Sequence, residues 1–262
     1  MKQVLVTGGT GTLGREVIHQ LIEQGNEVSV LTSKEKTDLP PSVKIYHCDL
    51  TKPDTLQKAG LNAEVIVHCA SNSSDSQNVD VLGTRNLLAT VSRDKLKHFI
   101  YISIVGVDKS DFPYYKAKYE VERQVENSGL PYTILRATQF HDFVLNRLIH
   151  PFDKGLGKVL ELPKGLRLQP IDIIEVSEVV TELTNNNARN TTIEIGGPEV
   201  LSIGKLAQGY FDYIGRKDKI ELVPMDIFKV FQTGINLCPD KKRGQITWEK
   251  YLKFNLSGEI SN

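Results

Sequence analysis

The sequence predicts an α/β chain built on a doubly wound parallel sheet, with a smaller, discontinuous C-terminal lobe. Three observations carry this reading. A short apolar run, Gln3 to Thr7, leads straight into glycines at 8, 11 and 14 and then into Leu13, Val17, Leu21 and Ile22 at helical spacing. Strand-like runs then alternate with helical ones as far as Arg136, a pattern that right-handed crossovers turn into a parallel sheet. Finally, 262 residues suffice for one substantial core and an appended lobe.

Taken in order, the first strand and helix enclose Gly8-Gly9-Thr10-Gly11-Thr12-Leu13-Gly14. Gly8 permits the tight turn, Gly11 lets backbone approach a pyrophosphate, and Gly14 lets the helix pack against the strand. The helix N-terminus, from Thr10 through Leu13, offers backbone N–H groups and a positive dipole end to that anion. The second strand, Glu27 to Thr32, ends at Ser33 and Lys34, with Glu35 the first acid. An acid at this tip accepts from the ribose 2′-hydroxyl of NAD, whereas Ser33 and Lys34 suit the 2′-phosphate of NADP. The cofactor expectation is therefore NADP, with NAD the lesser alternative, although Ser33 to Lys36 also reads as an ordinary solvated loop. Val43 to Tyr46 is a third strand that leads to Cys48-Asp49-Leu50, and Pro53 to Ala59 a short helix. Glu64 to Cys69 is apolar enough for the middle of a parallel sheet, and Ala70-Ser71 follows it where a nicotinamide would pass. A helix bearing Val79, Leu82, Leu87 and Leu88 precedes a fifth strand, His98 to Ser103. A helix from Phe112 to Ser128 is stopped by Gly129 and Pro131, and Tyr132 to Arg136 is the sixth strand.

Beyond His141 the alternation loosens. Leu160 to Leu168 has the short β pattern of a lid or hairpin, Val176 to Leu183 is a helix, Thr192 to Ile195 a strand, and Ser202 to Ile214 a helix followed by shorter helical pieces to Asn262. The expected division is a nucleotide-binding domain of residues 1–140 plus 169–198, and a substrate lobe of 141–168 plus 199–262. Gln139, Phe140 and His141 follow the sixth strand and are expected to face substrate, while Trp248, Tyr251 and Phe254 are expected to pack.

Composition narrows the partners. Lys and Arg number 32, as do Asp and Glu, so no net field draws the chain to nucleic acid or an anionic membrane. No apolar run reaches bilayer length and no leader pattern opens the chain, which makes a cytoplasmic location the expectation. Cys48, Cys69 and Cys238 lie far apart and read as buried thiols, and the histidines show no ligand spacing, so no metal is expected.

Tyr114 and Lys118 stand four residues apart, on one face of a helix. Reducing a carbonyl with a hydride needs a proton donor at its oxygen, and a neighbouring ammonium can bring a phenol into range. Tyr213 and Lys217 repeat the spacing, so position must decide between the pairs.

Together, Thr7-Gly8-x-x-Gly11-x-x-Gly14, Asp49-Leu50, Asp80-Val-Leu-Gly83-Thr84-Arg-Asn86-Leu87, Tyr114-x-x-x-Lys118 with Glu122, and Leu135-Arg136 resemble the extended and atypical short-chain dehydrogenases/reductases. Tyr101 to Asp108 and Ile134 to Phe140 resemble the NmrA-like branch of these NAD(P)-binding Rossmann proteins. The resemblance covers roughly residues 3 to 200. It implies that Tyr114 is the acid/base, that Lys118 binds the nicotinamide ribose and lowers the tyrosine pKa, and that Asp49 and Leu50 flank the adenine. Where the superfamily commonly has Asn, this chain has Asp80, so a water relay there would be anchored by a carboxylate. The assisting serine is Ser103, unless alignment with extended members places that position at Ile104. The function implied is NADP(H)-dependent hydride transfer to or from a small carbonyl, quinone-like or sugar-derived substrate. A non-catalytic NADP(H) sensor acting through a protein partner, and an epimerase or dehydratase with retained nucleotide, are the alternatives. Beyond the small molecule, a homodimer or a regulatory protein partner is compatible with the sequence.

Overall fold

In a computed structural model, which describes residues 1–59 and 61–256, the elements follow the expected alternation. They are β1 (Gln3–Thr7), α1 (Thr12–Glu23), β2 (Glu27–Thr32), β3 (Lys44–His47), α2 (Pro53–Ala59), β4 (Val65–His68), α3 (Gly83–Thr90), β5 (His98–Ile104), α4 (Pro113–Asn127) and β6 (Tyr132–Ala137). The later ones are α5 (His141–Phe143), β7 (Leu160–Pro163), β8 (Arg167–Leu168), α6 (Ile173–Asn185), β9 (Thr191–Ile195), β10 (Leu201–Ser202), α7 (Ile203–Tyr213), β11 (Ile220–Val223) and α8 (Trp248–Asn255). A π-helical stretch, Gln77–Leu82, runs into α3.

A seven-stranded sheet has the order β3-β2-β1-β4-β5-β6-β9, and the pairs from β3 to β5 are parallel. Chain order reverses between β1 and β4, the switch point at which a doubly wound sheet holds a ligand beyond the strands' C-terminal ends. The sheet is a Rossmann-like α/β fold. β4 is buried at every residue, the apolar Val65 to Val67 followed by a buried His68.

The chain divides into two compact units: residues 1–136 with 176–193, and residues 137–175 with 194–262. The expected boundaries move by several residues because 137–140, 169–171 and 196–197 bond to one another. Thr138 donates its hydroxyl to the Gln169 carbonyl at 2.5 Å, and Phe140 bridges Ile171. The first unit is cored by residues including Leu5, Ile66, Leu87, Phe99, Val121 and Ile134. The second is cored by residues including Leu145, Leu162, Leu206, Phe211 and Trp248.

One expectation is corrected here. Residues 160–168 do not form a hairpin: β7 pairs in parallel with β11, and β8 pairs antiparallel with β10. Gly165 (φ 81°) turns the chain between them, but each strand takes a partner from more than thirty residues away. Trp248 and Tyr251 pack as expected, whereas Phe254 is 75% exposed. The expected helical pieces after α8 lie outside the described residues. Among the described residues, no helix is long and apolar enough to cross a membrane and no cluster of metal-ligating side chains occurs.

Candidate functional site

The glycine loop is built as its spacing predicts. Gly8 has φ 68°, and a Cβ there would stand 2.6 Å from the Ala70 nitrogen. A Cβ on Gly14 would stand 2.3 Å from the Gly8 carbonyl oxygen, so helix and strand touch only because both positions are glycine. Gly11 is exposed, caps α1 without any side-chain hydrogen bond, and donates its N–H to the Gly8 carbonyl at 2.9 Å. Thr12 begins α1 and is exposed, Thr10 is half-buried, and Leu13 is buried. No acid lies in the first turn of α1 to oppose an anion. This open, glycine-lined helix start fits a pyrophosphate. Gly9, overlooked in the sequence, is equally constrained: a Cβ there would meet Ile18 and Val30 side-chain carbons at 2.8–2.9 Å.

Ser33 and Asp49 line one cavity of about 410 Å³ at the tips of β2 and β3, together with Glu35, His47, Cys48, Lys52 and Thr55. Lys34 is exposed beside it, its N–H donating to the Thr32 hydroxyl at 3.2 Å. Asp49 accepts from the Thr51 N–H and hydroxyl at 2.9 and 2.8 Å, which, against the cost of its own partial burial, holds its carboxyl below the usual range. Leu50 is buried, and its carbonyl accepts from Asn86 at 2.9 Å. Gly83 allows α3 to reach it, since a Cβ there would lie 2.9 Å from Leu50 Cβ. Arg15, directly after Gly14, was not singled out in the sequence. It donates to the Thr10 carbonyl at 3.2 Å and pairs with Asp38 at 2.5 Å.

At the tips of β4 and β5, α4 carries Tyr114, Lys118 and Glu122 at successive helical turns. Pro113 starts this helix, where its missing N–H costs nothing. Lys118 is only 4% exposed. Its ammonium donates to the Ile102 carbonyl at 2.8 Å, lies 3.9 Å from Asp80 Oδ1, and sits 4.4 Å above the Tyr101 ring. Burial pulls the lysine pKa below its usual value, and the Asp80 carboxylate opposes that shift. Glu122 is held by Arg136 at 2.9 and 2.6 Å, and Arg136 also reaches Asp108 at 3.0 Å, which ties α4 to β6 and to the loop after β5.

The Tyr114 hydroxyl faces Ser71 Oγ at 2.7 Å, and Ser71 donates to Asp80 Oδ1 at 2.6 Å. Asp80 Oδ2 accepts from the Asn72 N–H at 2.9 Å. Here the structure departs from expectation. Lys118 compensates Asp80 rather than activating Tyr114, and the phenol pKa is pushed up to about 12 by burial, with Asp80 adding to the rise and the Ser71 hydrogen bond opposing it. Ser71, expected beside the cofactor, links Tyr114 to Asp80.

Beneath them, His68 bridges Thr7 and Thr84 hydroxyls at 2.6 and 2.8 Å, and burial lowers its pKa to about 3. Ala70 donates its N–H to that same Thr7 hydroxyl at 3.2 Å, so the glycine loop and the start of the Ser71 loop share an anchor. Ser103 is 3% exposed and falls on the same face of β5 as Tyr101, two residues before it. Among the described residues, Ser103 Oγ and Tyr101 Oη are buried polar atoms with no hydrogen-bond partner, a feature of a site that a bound polar group would complete. Tyr101 could have been noticed as a polar-tipped residue between the apolar Ile100 and Ile102 of β5.

The substrate assignments fall in the second unit. Gln139 is buried, donating to the Asn236 carbonyl at 3.2 Å and accepting from the Gln169 N–H at 3.4 Å. His141 is 1% exposed, stacked on Tyr251 at 4.8 Å with Asp172 at 3.4 Å. These two side chains are internal to their unit and present no face to a ligand in this structure, whereas Phe140 is half-buried.

Residues 8–152 match the family of NAD(P)H-binding proteins. The photosystem II assembly factor Ycf39 of Synechocystis sp. is 31% identical over 88% of this chain and 73% of its own length. The divinyl chlorophyllide a 8-vinyl-reductase of Arabidopsis thaliana is 26% identical over 86% of this chain, which spans only 60% of that protein. An Escherichia coli NADPH-dependent quinone oxidoreductase complexed with NADPH aligns with a TM-score of 0.76 at 15% identity, covering 95% of this chain and 98% of that one. The UDP-glucose 4-epimerase of Thermotoga maritima aligns at 0.74 with 18% identity, covering 97% of both. At such identities these two structures establish a shared fold.

Proposed function

The chain belongs to the NAD(P)H-binding family, and from that premise we propose that it is an NADP(H)-dependent reductase of the short-chain dehydrogenase/reductase type acting on a small carbonyl or quinone-like substrate. The observation that carries the proposal is the chain Tyr114–Ser71–Asp80–Lys118 in the same unit as the glycine loop. Bound along that loop, the reduced nicotinamide supplies the hydride. Gly8, Gly11 and Gly14 seat the pyrophosphate, with Thr10, Thr12 and Leu13 providing the start of α1. Ser33 and Lys34, in place of an acid, favour a 2′-phosphate at the tip of β2, and Asp49 with Leu50 flanks the adenine. Tyr114, a neutral phenol with a pKa near 12, gives its proton to the substrate oxygen. Lys118 holds the nicotinamide ribose, and Ser103 offers its unpartnered hydroxyl to the substrate or the nicotinamide amide.

Calorimetric titration with NADPH and NADH, followed by aldehydes and quinones with loss of NADPH absorbance as the readout, tests the proposal. Tight NADPH binding with consumption on one compound supports it, and no consumption on any overturns it in favour of the second reading. That second reading is a nucleotide-binding protein acting on a protein partner. Its support is that the buried Lys118 ammonium donates to the Ile102 carbonyl and lies beside Asp80, and that one relative is named an assembly factor.

A further inference from the structure

We infer that Tyr101 is a positioning residue for Lys118, its ring serving as the platform that holds the lysine in place as a cation. The inference rests on the reading above in which Lys118 serves the nicotinamide ribose, but its geometry belongs to the chain alone. An ammonium has three N–H groups. The Ile102 carbonyl takes one at 2.8 Å, and Asp80 Oδ1 at 3.9 Å is near enough to attract but too far to bond. A neutral amine donates to a carbonyl as well, so this hydrogen bond alone does not keep the charge on Lys118. The face of Tyr101 does favour the charge, because its ring centroid lies 4.4 Å from Nζ, inside the roughly 6 Å reach of a cation–π contact. Lys118 is 4% exposed and Tyr101 1%, and such a contact is strongest where water is excluded.

Packing, not the hydroxyl, fixes the ring. Among the described residues Tyr101 Oη is a buried atom with no hydrogen-bond partner, so the phenol oxygen does not set the ring's place. The His68 ring lies 5.6 Å from the Tyr101 ring at 30°, and His68 is pinned between the Thr7 and Thr84 hydroxyls at 2.6 and 2.8 Å. The lysine therefore rests on a ring tied through His68 to β1 and α3. With one N–H on Ile102, two remain for the hydroxyls of a ribose.

Few other groups can hold the charge. Burial disfavours it, and Asp80, Cys69 and Glu122 support it in falling order. At neutral pH, however, burial keeps His68, Cys69 and Tyr114 uncharged, with pKa values of about 3, 12 and 12. Glu122 is already paired with Arg136. That leaves Asp80 and the Tyr101 ring.

The first test needs no substrate. Protein isotope-labelled at lysine Cε is titrated by NMR through the alkaline range, the Lys118 signal being the one lost in Lys118→Arg. Tyr101→Leu is expected to lower the lysine step by about one pH unit, and Tyr101→Phe, which keeps the ring, to leave it at the wild-type value. The direction decides. A ring that only filled space would leave a gap that admits water, which solvates the ammonium and moves the step up. An unmoved or raised step in Tyr101→Leu overturns the platform. Should that variant fail to fold, phenylalanines of increasing ring fluorination at position 101 keep the shape while draining negative charge from the face. A step that falls with fluorination supports the platform, and one indifferent to it overturns the platform. The second test is calorimetry with NADPH on either side of the lysine step, where affinity is expected to drop roughly tenfold as the ammonium is lost. An affinity that ignores the step removes the assignment of Lys118 to the ribose, a result distinct from a step that ignores the ring.

Discussion

Two stretches of this chain carry tyrosine and lysine four residues apart, and they have unlike fates. In α4 the pair lies mid-helix: Lys118 is buried against Tyr101, the Ile102 carbonyl and Asp80, and Tyr114 joins Asp80 through Ser71. At the end of α7 the helix stops at Tyr213, Gly215 takes φ 71°, and Lys217 is exposed beyond the turn. The cation engaged there is Arg216, which pairs with Asp153 and Asp218 at 2.5 and 2.8 Å above the Phe211 ring. Spacing put both pairs on notice. Burial beside a strand end and a counter-charge from another element make only the first a candidate for chemistry.

The largest expected effect separates the pairs directly. Tyr114→Phe should lower turnover about 10²- to 10⁴-fold, the range of general acid catalysis, while NADPH affinity holds and Tyr213→Phe changes neither. Steady-state kinetics beside calorimetry checks this, and equal losses in both variants would break the contrast.

Next in size is stability. Lys118→Met leaves Asp80 buried without its cation and should cost about 3–5 kcal/mol, measured by urea unfolding. Lys217→Met, at an exposed site, should fall within about 0.5 kcal/mol.

Buried histidines make the first unit acid-sensitive. Burial lowers the pKa of His68 to about 3 and that of His98 to about 4, from the ordinary histidine value of 6.5. Both are neutral in the folded chain, and the unfolded chain takes up their protons first. Stability is therefore full above pH 6.5 and is lost as pH falls below it. Each histidine contributes a loss of about 1.4 kcal/mol per pH unit, continuing down to its folded pKa. Unfolding followed between pH 7 and 4.5 should show the slope, and His98→Gln should reduce it.

The smallest effect concerns the nucleotide. Lys34→Ala should weaken NADPH binding by about 1 kcal/mol or less, as an exposed charge allows, and leave NADH unchanged. Equal weakening of both would show that Lys34 does not meet the 2′-phosphate.

Much of this was legible in residue order. The glycine loop was readable because Gly8 and Gly14 have no freedom to be anything else where strand, helix and Ala70 converge. The β2 to β6 alternation was readable because buried parallel strands demand apolar runs. That Gln139 and His141 are buried within their unit was not legible, since following a strand of the sheet does not say whether a side chain turns inward. The strands at 160–168 and 220–223 could not be paired in advance, because strands of two to four residues carry too little pattern to choose a distant partner.

By itself the sequence determined the sheet, the crossovers, the phosphate-binding turn and the helix face shared by Tyr114, Lys118 and Glu122, since all follow from local periodicity and from glycine's missing side chain. Only the tertiary structure decided that Lys118 turns to Asp80, that Ser71 joins Tyr114 to that carboxylate, and that Tyr101 lies beneath the ammonium. Those contacts bring together residues between 9 and 43 positions apart, and burial sets their electrostatics, a property of packed elements that no stretch of chain carries alone.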